Sequence, residues 1–343
     1  MKIKNIFLMS LPALLLTMTA CSNDEADNSA AQLQREIRLS SRIGEAPLSR
    51  AAGVNEYFIY GGTTVWMWAD EVNGETGDVI ADSEYAIDAW KLTANRAGGL
   101  EPGPEKTHVF PEANGLNFYG FAGNFTDEPV TEDATKFAEL GTLTHTIEAD
   151  QTKDDNIAKS DLLFGQELGL AIGTYDAIVP FYHLLSQIQV ALIAKADNTG
   201  ANQAEQLKDA TITLAALPTE VSFKPAKLAD LSVAADRAAM ITGTANPQSI
   251  RIPVVTSPYG EAYKYASAVI APTTITSASP FITVTFKGET YEFAFDQTFE
   301  SGKSYRLHLI LEANGKFTMQ PITVTSWDAD KVERDIDLVK SNS

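Results

Sequence analysis

The chain has 343 residues, 44% hydrophobic and 21% charged, the balance of a globular protein with room for about two domains. Its formal net charge of -19, with the basic residues scattered, repels phosphate backbones and sets nucleic acid aside as a partner. The single cysteine, Cys21, excludes an intramolecular disulfide framework and a cysteine-based zinc site.

At the N-terminus, Lys2 and Lys4 precede an apolar run from Ile6 to Leu16, interrupted by Ser10 and Pro12. The run is too short and wrongly flanked for a permanent transmembrane helix, and residues 1–20 read as a secretory signal peptide. Met18-Thr19-Ala20-Cys21 resembles a bacterial lipobox, with Met18 where the pattern usually has Leu. On that resemblance Cys21 is lipidated and holds the chain to an outer membrane. Residues 21–35 are polar and acidic and read as a flexible tether. Acids just after the cysteine resemble the surface-export signal of Bacteroidales lipoproteins.

A strand pattern follows. In Glu36–Ile43, "EIRLSSRI", Ile37, Leu39, Ser41 and Ile43 share one face, and Glu36, Arg38, Ser40 and Arg42 the other. The next stretch, "GEAPLSRAAG", sets Arg50 and Ala51 among small residues, which is the composition of a cleavable linker. Arg42 is a second arginine at which a protease could cut.

Further candidate strands are Thr64–Ala69, Tyr85–Leu92, Leu116–Gly123, Thr142–Ile147 and Asp161–Phe164. Val179–Lys195 is one long apolar stretch. After it come Ala210–Ala216, Val221–Phe223, Ser249–Val255, Tyr263–Ala271, Phe281–Phe286, Thr290–Phe295, Ser304–Glu312 and Lys316–Ser326. Glycines in Lys287-Gly288-Glu289 and Ala313-Asn314-Gly315 mark two hairpins. No long segment keeps a helical period, although Asn202–Lys208 could form a short helix. Regularly spaced short strands predict an all-β protein built of β-sandwiches, with a boundary near Gly165–Thr174. The expected domains are 36–170 and 171–343.

Signatures of catalysis and cofactor binding are missing. His108, His145, His183 and His308 lack metal-ligand spacing, and His183 in its apolar run reads as structural. No nucleophile elbow, P-loop or dinucleotide fingerprint is present. Acidic pairs such as Asp154-Asp155 lie in polar stretches, and Asp328-Ala329-Asp330, an incomplete calcium-like fragment, reads as a solvated turn. Trp66, Trp68 and Trp90 could form a sugar-stacking platform, but Trp66 and Trp68 would share one strand face and read as core.

Several segments, in this order, resemble the fimbrillins, pilus subunits of the type V class in Bacteroidales. They are "DLLFG" (Asp161–Gly165), "VPFYHLLSQIQVAL" (Val179–Leu192), "ASAVIAP" (Ala266–Pro272), "ITVTFKGETYEF" (Ile282–Phe293) and "SGKSYRLHLILEANGKFTMQPITVTSW" (Ser301–Trp327). The resemblance implies two tandem transthyretin-like β-sandwich domains after a lipoprotein signal peptide, with no enzymatic activity and no cofactor. It also implies that a trypsin-like, arginine-specific protease cuts the precursor and that its first strand leaves. A strand from a neighbouring fimbrial subunit then fills the groove, a form of β-augmentation. Burying Ile37, Leu39 and Ile43 is worth roughly 5–9 kcal/mol at about 1.5–3 kcal/mol each. A domain's whole stability is only about 5–15 kcal/mol, so an emptied groove needs a replacement. The tail segment 332–340 is a donor candidate: Val332, Arg334, Ile336 and Leu338 share one strand face. The same tail could instead complete its own C-terminal domain. A monomeric surface lipoprotein that binds glycans or host ligands is the alternative function.

Overall fold

A computed structural model describes residues 36–44, 58–104, 107–130, 136–171, 177–195, 207–258 and 265–328. The first part of the chain holds β1 (Leu39–Ile43), β2 (Thr64–Val72), β3 (Ile87–Ala94), β4 (Gly99–Pro102), β5 (Gly115–Ala122), β6 (Leu143–Thr146), α1 (Asp154–Ser160), β7 (Leu163–Ala171) and β8 (Ala177–His183). All these strands except β6 form one sheet, in the order β1-β4-β3-β2-β5-β7-β8, whose ends meet in a closed barrel. The all-β expectation holds, but the first unit is not two facing sheets. Strand β1 reaches both β4 and β8, so a single sheet closes on itself.

The second part holds β9 (Ser186–Ala194), β10 (Thr211–Phe223), α2 (Ala234–Ala238), β11 (Ile241–Ile252), β12 (Thr256–Pro258), β13 (Ala266–Ile270), β14 (Thr273–Ile275), β15 (Ile282–Phe286), β16 (Glu289–Phe293), β17 (Gln297–Phe299), β18 (Lys303–Leu311), β19 (Phe317–Met319) and β20 (Thr323–Ser326). One sheet runs β11-β10-β15-β16 with β6 added on β10. Another runs β12-β9-β18-β19, with β13 on β9 and β20 on β18. Ile188, Val190, Leu214, Ile250, Val284 and Leu307, from both sheets, share one core.

The long apolar stretch divides at Leu184-Leu185, where the chain passes from the barrel strand β8 to β9. Both leucines are fully buried, so hydrophobicity does not mark the change of sheet. Ala210–Ala216 and Val221–Phe223 are one strand, β10, with an irregularity between Leu214 and Ala216. Pro218 lies inside it, facing Pro247 of β11. On its other side β10 pairs with β15 only at residues 211–214 and with β6 only at residues 220–223, so the missing N–H of Pro218 interrupts no ladder there. The last expected strand is broken into β19 and β20 around Gln320-Pro321. Of the expected helix over 202–208, only Leu207 and Lys208 are described, in a single 3-10 turn. Asp154 and Asp155, read as part of a polar loop, form the first turn of α1, where their charge suits the helix dipole.

The barrel and the second part share the large core. Strand β2 turns Val65, Met67 and Ala69 into the barrel, and Trp66 and Trp68 outward into the shared core. Trp68 stacks on Phe121, which meets Phe223 of β10 edge-on. The Gln151 side chain donates to the Val269 carbonyl at 2.7 Å and accepts the Val269 N–H at 2.8 Å, so it docks onto β13 as a strand would.

His145 of β6 is fully buried at this joint. Its Nδ1 accepts the Asn124 N–H at 3.0 Å, and its Nε2 faces the Ser160 carbonyl at 2.9 Å. An N–H on one side and a carbonyl on the other fix a neutral ring protonated at Nε2. Burial pushes the pKa of His145 down to about 4. The unfolded chain therefore binds the extra proton first as pH falls below about 6.5. Stability present above that pH is lost on acidification, by about 2 kcal/mol between pH 7.5 and pH 5. Urea midpoints of the wild type and His145→Gln at these two pH values should differ in slope, the variant being flatter. Equal slopes would show that His145 is not held neutral.

Candidate functional site

The closing strand of the barrel forms the site. Strand β1 runs parallel to β8, from Leu39 opposite Ala177 to Ile43 opposite Phe181, and antiparallel to β4, with Leu39 opposite Leu100 and Ser40 opposite Gly99. Bonds outside these ladders lengthen its hold. Ile37 N–H donates to the His108 carbonyl, Ser41 N–H to the Gly98 carbonyl and Gly44 N–H to the Phe181 carbonyl, at 2.8, 2.7 and 2.7 Å.

Ile37, Leu39, Ser41 and Ile43 point into the barrel, at 3%, 4%, 1% and 7% exposure. The three apolar side chains pack in a cluster with Met67, Leu92, Leu100, Phe118, Val179 and Phe181. Ser41 marks a polar place in this floor: its hydroxyl donates to the Gly98 carbonyl at 3.1 Å and accepts the Ile59 N–H at 3.3 Å. The groove occupied by β1 thus has three apolar positions and one polar position, in a fixed order.

Two of the segments resembling the fimbrillins build one wall. Gly165 of "DLLFG" lies directly opposite Phe181 of "VPFYH". A Cβ on Gly165 would sit 2.7 Å from the Phe181 ring, so only glycine leaves that ring its place. Phe181 is in turn the partner of Ile43. Strand β8 pairs with β7 only from Phe181 to His183, whereas β1 pairs with it from Ala177 to Phe181. Among the described residues, Ala177–Pro180 therefore depend on β1 for their strand partner.

Arg42, the second candidate cleavage residue, lies within this ladder opposite Pro180, with its Nε buried and without a hydrogen bond. A protease could read it only after β1 had been pulled out. Arg50, Ala51, Cys21 and the donor residues Val332, Ile336 and Leu338 lie outside the described residues.

A polar corner closes the groove at Gly44. This residue has φ +60, and a Cβ there would run into the carbonyl of Asp328, so glycine is required twice over. Asp328 is not in a solvated turn. It is buried, and its Oδ1 accepts the His183 N–H at 3.0 Å. Its Oδ2 lies 3.6 Å from the Arg237 guanidinium and lacks a hydrogen bond. Burial pushes the Asp328 carboxyl above the usual carboxylate range, opposed by His183 and Arg237. The His183 ring stacks flat on Trp327 at 3.7 Å, and its Nδ1 lies 2.9 Å from Asp161, so this histidine is structural. The corner brings the start of the tail against the end of β1. No pattern in the sequence pointed to it beyond the glycine that ends the strand.

All four tryptophans, Trp66, Trp68, Trp90 and Trp327, are buried, and none offers a surface on which a sugar could stack. Among the described residues, no group of three or more His, Cys, Asp or Glu side chains is arranged to hold a metal ion.

Comparison with known proteins agrees with the barrel and its following sheets. The chain is similar to a putative cell adhesion protein from Bacteroides ovatus, at 16% identity and a TM-score of 0.55, over 86% of this chain and 99% of that one. It is similar to another from Bacteroides uniformis, at 12% identity and a TM-score of 0.51, over 85% and 98% of the two chains. No curated protein matches the sequence. The family model described as fimbrillin-like matches residues 61–327, most of the chain and nearly all of the described barrel and sheets. The chain belongs to the fimbrillin-like family.

Proposed function

We propose that this chain is a structural and adhesive subunit of a cell-surface fimbria, not an enzyme. On this reading it is exported as a lipoprotein anchored through Cys21 and is cut after Arg50 by a trypsin-like, arginine-specific protease. Its first strand then leaves, and the tail of a neighbouring subunit replaces it. The observation that carries the reading is that β1 closes the barrel from both edges while being joined to it through residues 45–57, which contain Arg50. A strand with three buried apolar side chains and two paired edges is an exchangeable unit of barrel stability. The pairing of Arg42 within the ladder, opposite Pro180, favours Arg50 as the cut site. Family membership supports the surface location and fimbrial partners, and on this reading the two units correspond to the transthyretin-like pair. The buried tryptophans speak against the glycan-binding alternative.

Trypsin acting on the chain beginning at Ser22 should give a product starting at Ala51, which then polymerises into rods visible by electron microscopy. A cut product that stays monomeric at high concentration overturns the shaft-forming role. Removal of residues 332–343 should leave the circular dichroism spectrum unchanged but stop polymerisation; continued assembly would exclude that segment as donor. In the uncut chain, Leu39→Ala should cost about 2–5 kcal/mol, seen as a lower urea midpoint, because it opens a cavity in the barrel.

A further inference from the structure

We infer that the incoming tail lies in the groove in the direction opposite to β1. The inference rests on the donor-strand reading and deepens it. The groove has apolar positions at Ile37, Leu39 and Ile43, and its polar position at Ser41 lies between Leu39 and Ile43. On one face the tail offers Val332, Arg334, Ile336 and Leu338, in chain order. The polar residue is third in the groove and second in the tail. The two patterns match only when one is read backwards.

With the tail reversed, Leu338 takes the place of Ile37, Ile336 that of Leu39, Arg334 that of Ser41 and Val332 that of Ile43. All three apolar positions are then filled. Arg334, which carries only donors, meets the Gly98 carbonyl that now accepts from Ser41, while the Ile59 N–H loses the hydroxyl that accepts it. With the tail in the direction of β1, no register fills more than two apolar positions. Placing Val332 at Ile37 puts the Arg334 guanidinium at Leu39, among Leu100, Met67 and Phe118, where burial of an unpaired charge is heavily disfavoured. Placing Ile336 at Ile37 and Leu338 at Leu39 puts Lys340 at Ser41 and Asn342 at Ile43. Reversal also makes the new strand antiparallel to β8, where β1 pairs in parallel over five residues, while it turns parallel to β4, where β1 pairs antiparallel over two.

Reversal fixes the point of entry. The tail enters at the Gly44 end, so the Asp328 corner must shift to admit Lys331 where Gly44 stood, and the four residues from Asp328 to Val332 span at most about 14 Å. The Trp327-Asp328 corner of the donor therefore lies close to the corresponding corner of the recipient.

Disulfide trapping between two copies tests the direction. Cys21 is the only cysteine, so chains beginning at Ser22 carry only introduced thiols. Position 42 faces Pro180 on the exposed side of the groove, and position 40 faces Ile178. In the reversed arrangement Glu333 stands at position 42; in the forward arrangement with Val332 at Ile37, Asp337 stands there. Asp335 stands at position 40 in both. After trypsin treatment, a Pro180→Cys chain mixed with a Glu333→Cys chain should give at least tenfold more disulfide-linked dimer than when mixed with an Asp337→Cys chain. The opposite ratio, or equal yields, overturns the reversed direction. Ile178→Cys with Asp335→Cys should link in the reversed arrangement and in the forward one with Val332 at Ile37. If that pair links and Glu333→Cys does not, the tail is a donor but is not reversed. If none of the three pairs links while rods still form, the reversed direction falls, and the groove holds either another segment or the tail in a different forward register.

Discussion

The barrel holds together because β1 is bonded along both edges, to β4 on one side and β8 on the other. Of the other joins, β4-β3, β3-β2 and β7-β8 link strands consecutive in the sheet's part of the chain, and β2-β5 and β5-β7 are long antiparallel ladders. Strand β1 joins two strands far apart in sequence, and part of β8 relies on it for a partner. An open sheet would leave two unpaired edges and an uncovered apolar interior, the combination that drives strands to recruit strands. The proposed fimbrial role builds on this dependence, since a barrel that needs one particular strand can be completed by an equivalent strand from elsewhere.

The surrounding structure makes the groove selective. Gly165 clears space for the Phe181 ring, and that ring backs Ile43. Ser41 places one hydroxyl against the Gly98 carbonyl amid apolar neighbours. Gly44 fits beneath Asp328 only because it lacks a side chain. Three apolar sites and one polar site distinguish one register of β1 from the next, so on the donor-strand proposal the groove would select a sequence and not merely an extended chain.

The strand β1 was legible in the sequence because it buries a single face, which leaves a clean period of two in "EIRLSSRI". Strands β2 and β9 bury both faces, the first between barrel and shared core, the second between the shared core and a smaller cluster of Ala191, Ile193 and Ile310 with Tyr265 packed on it. Their alternation vanishes, and the passage at Leu184-Leu185 vanishes with it. The sequence separates Ala210–Ala216 from Val221–Phe223, and the setting that lets Pro218 lie between them in one strand, between the reaches of β15 and β6, is a fact of tertiary structure. Closure of the barrel was equally invisible, since it depends on which distant strands meet at β1. The Asp328 corner joins Asp161, His183, Arg237 and the tail root from four separated segments, and one sequence carries no trace of that convergence.

A strand gripped on both edges also has mechanical properties. Tension along a fibre would pull such a strand lengthwise through the barrel, so the hydrogen bonds on its two sides resist in shear and must give way together. A strand peeled from a single edge would lose its bonds one after another at much lower force. The ring of seven strands cannot splay to relieve the load, because β2 and β5 are packed into the second half of the molecule through Trp66, Trp68 and Phe121. In the proposed fimbria, the closed sheet would make the joint between subunits a tensile coupling.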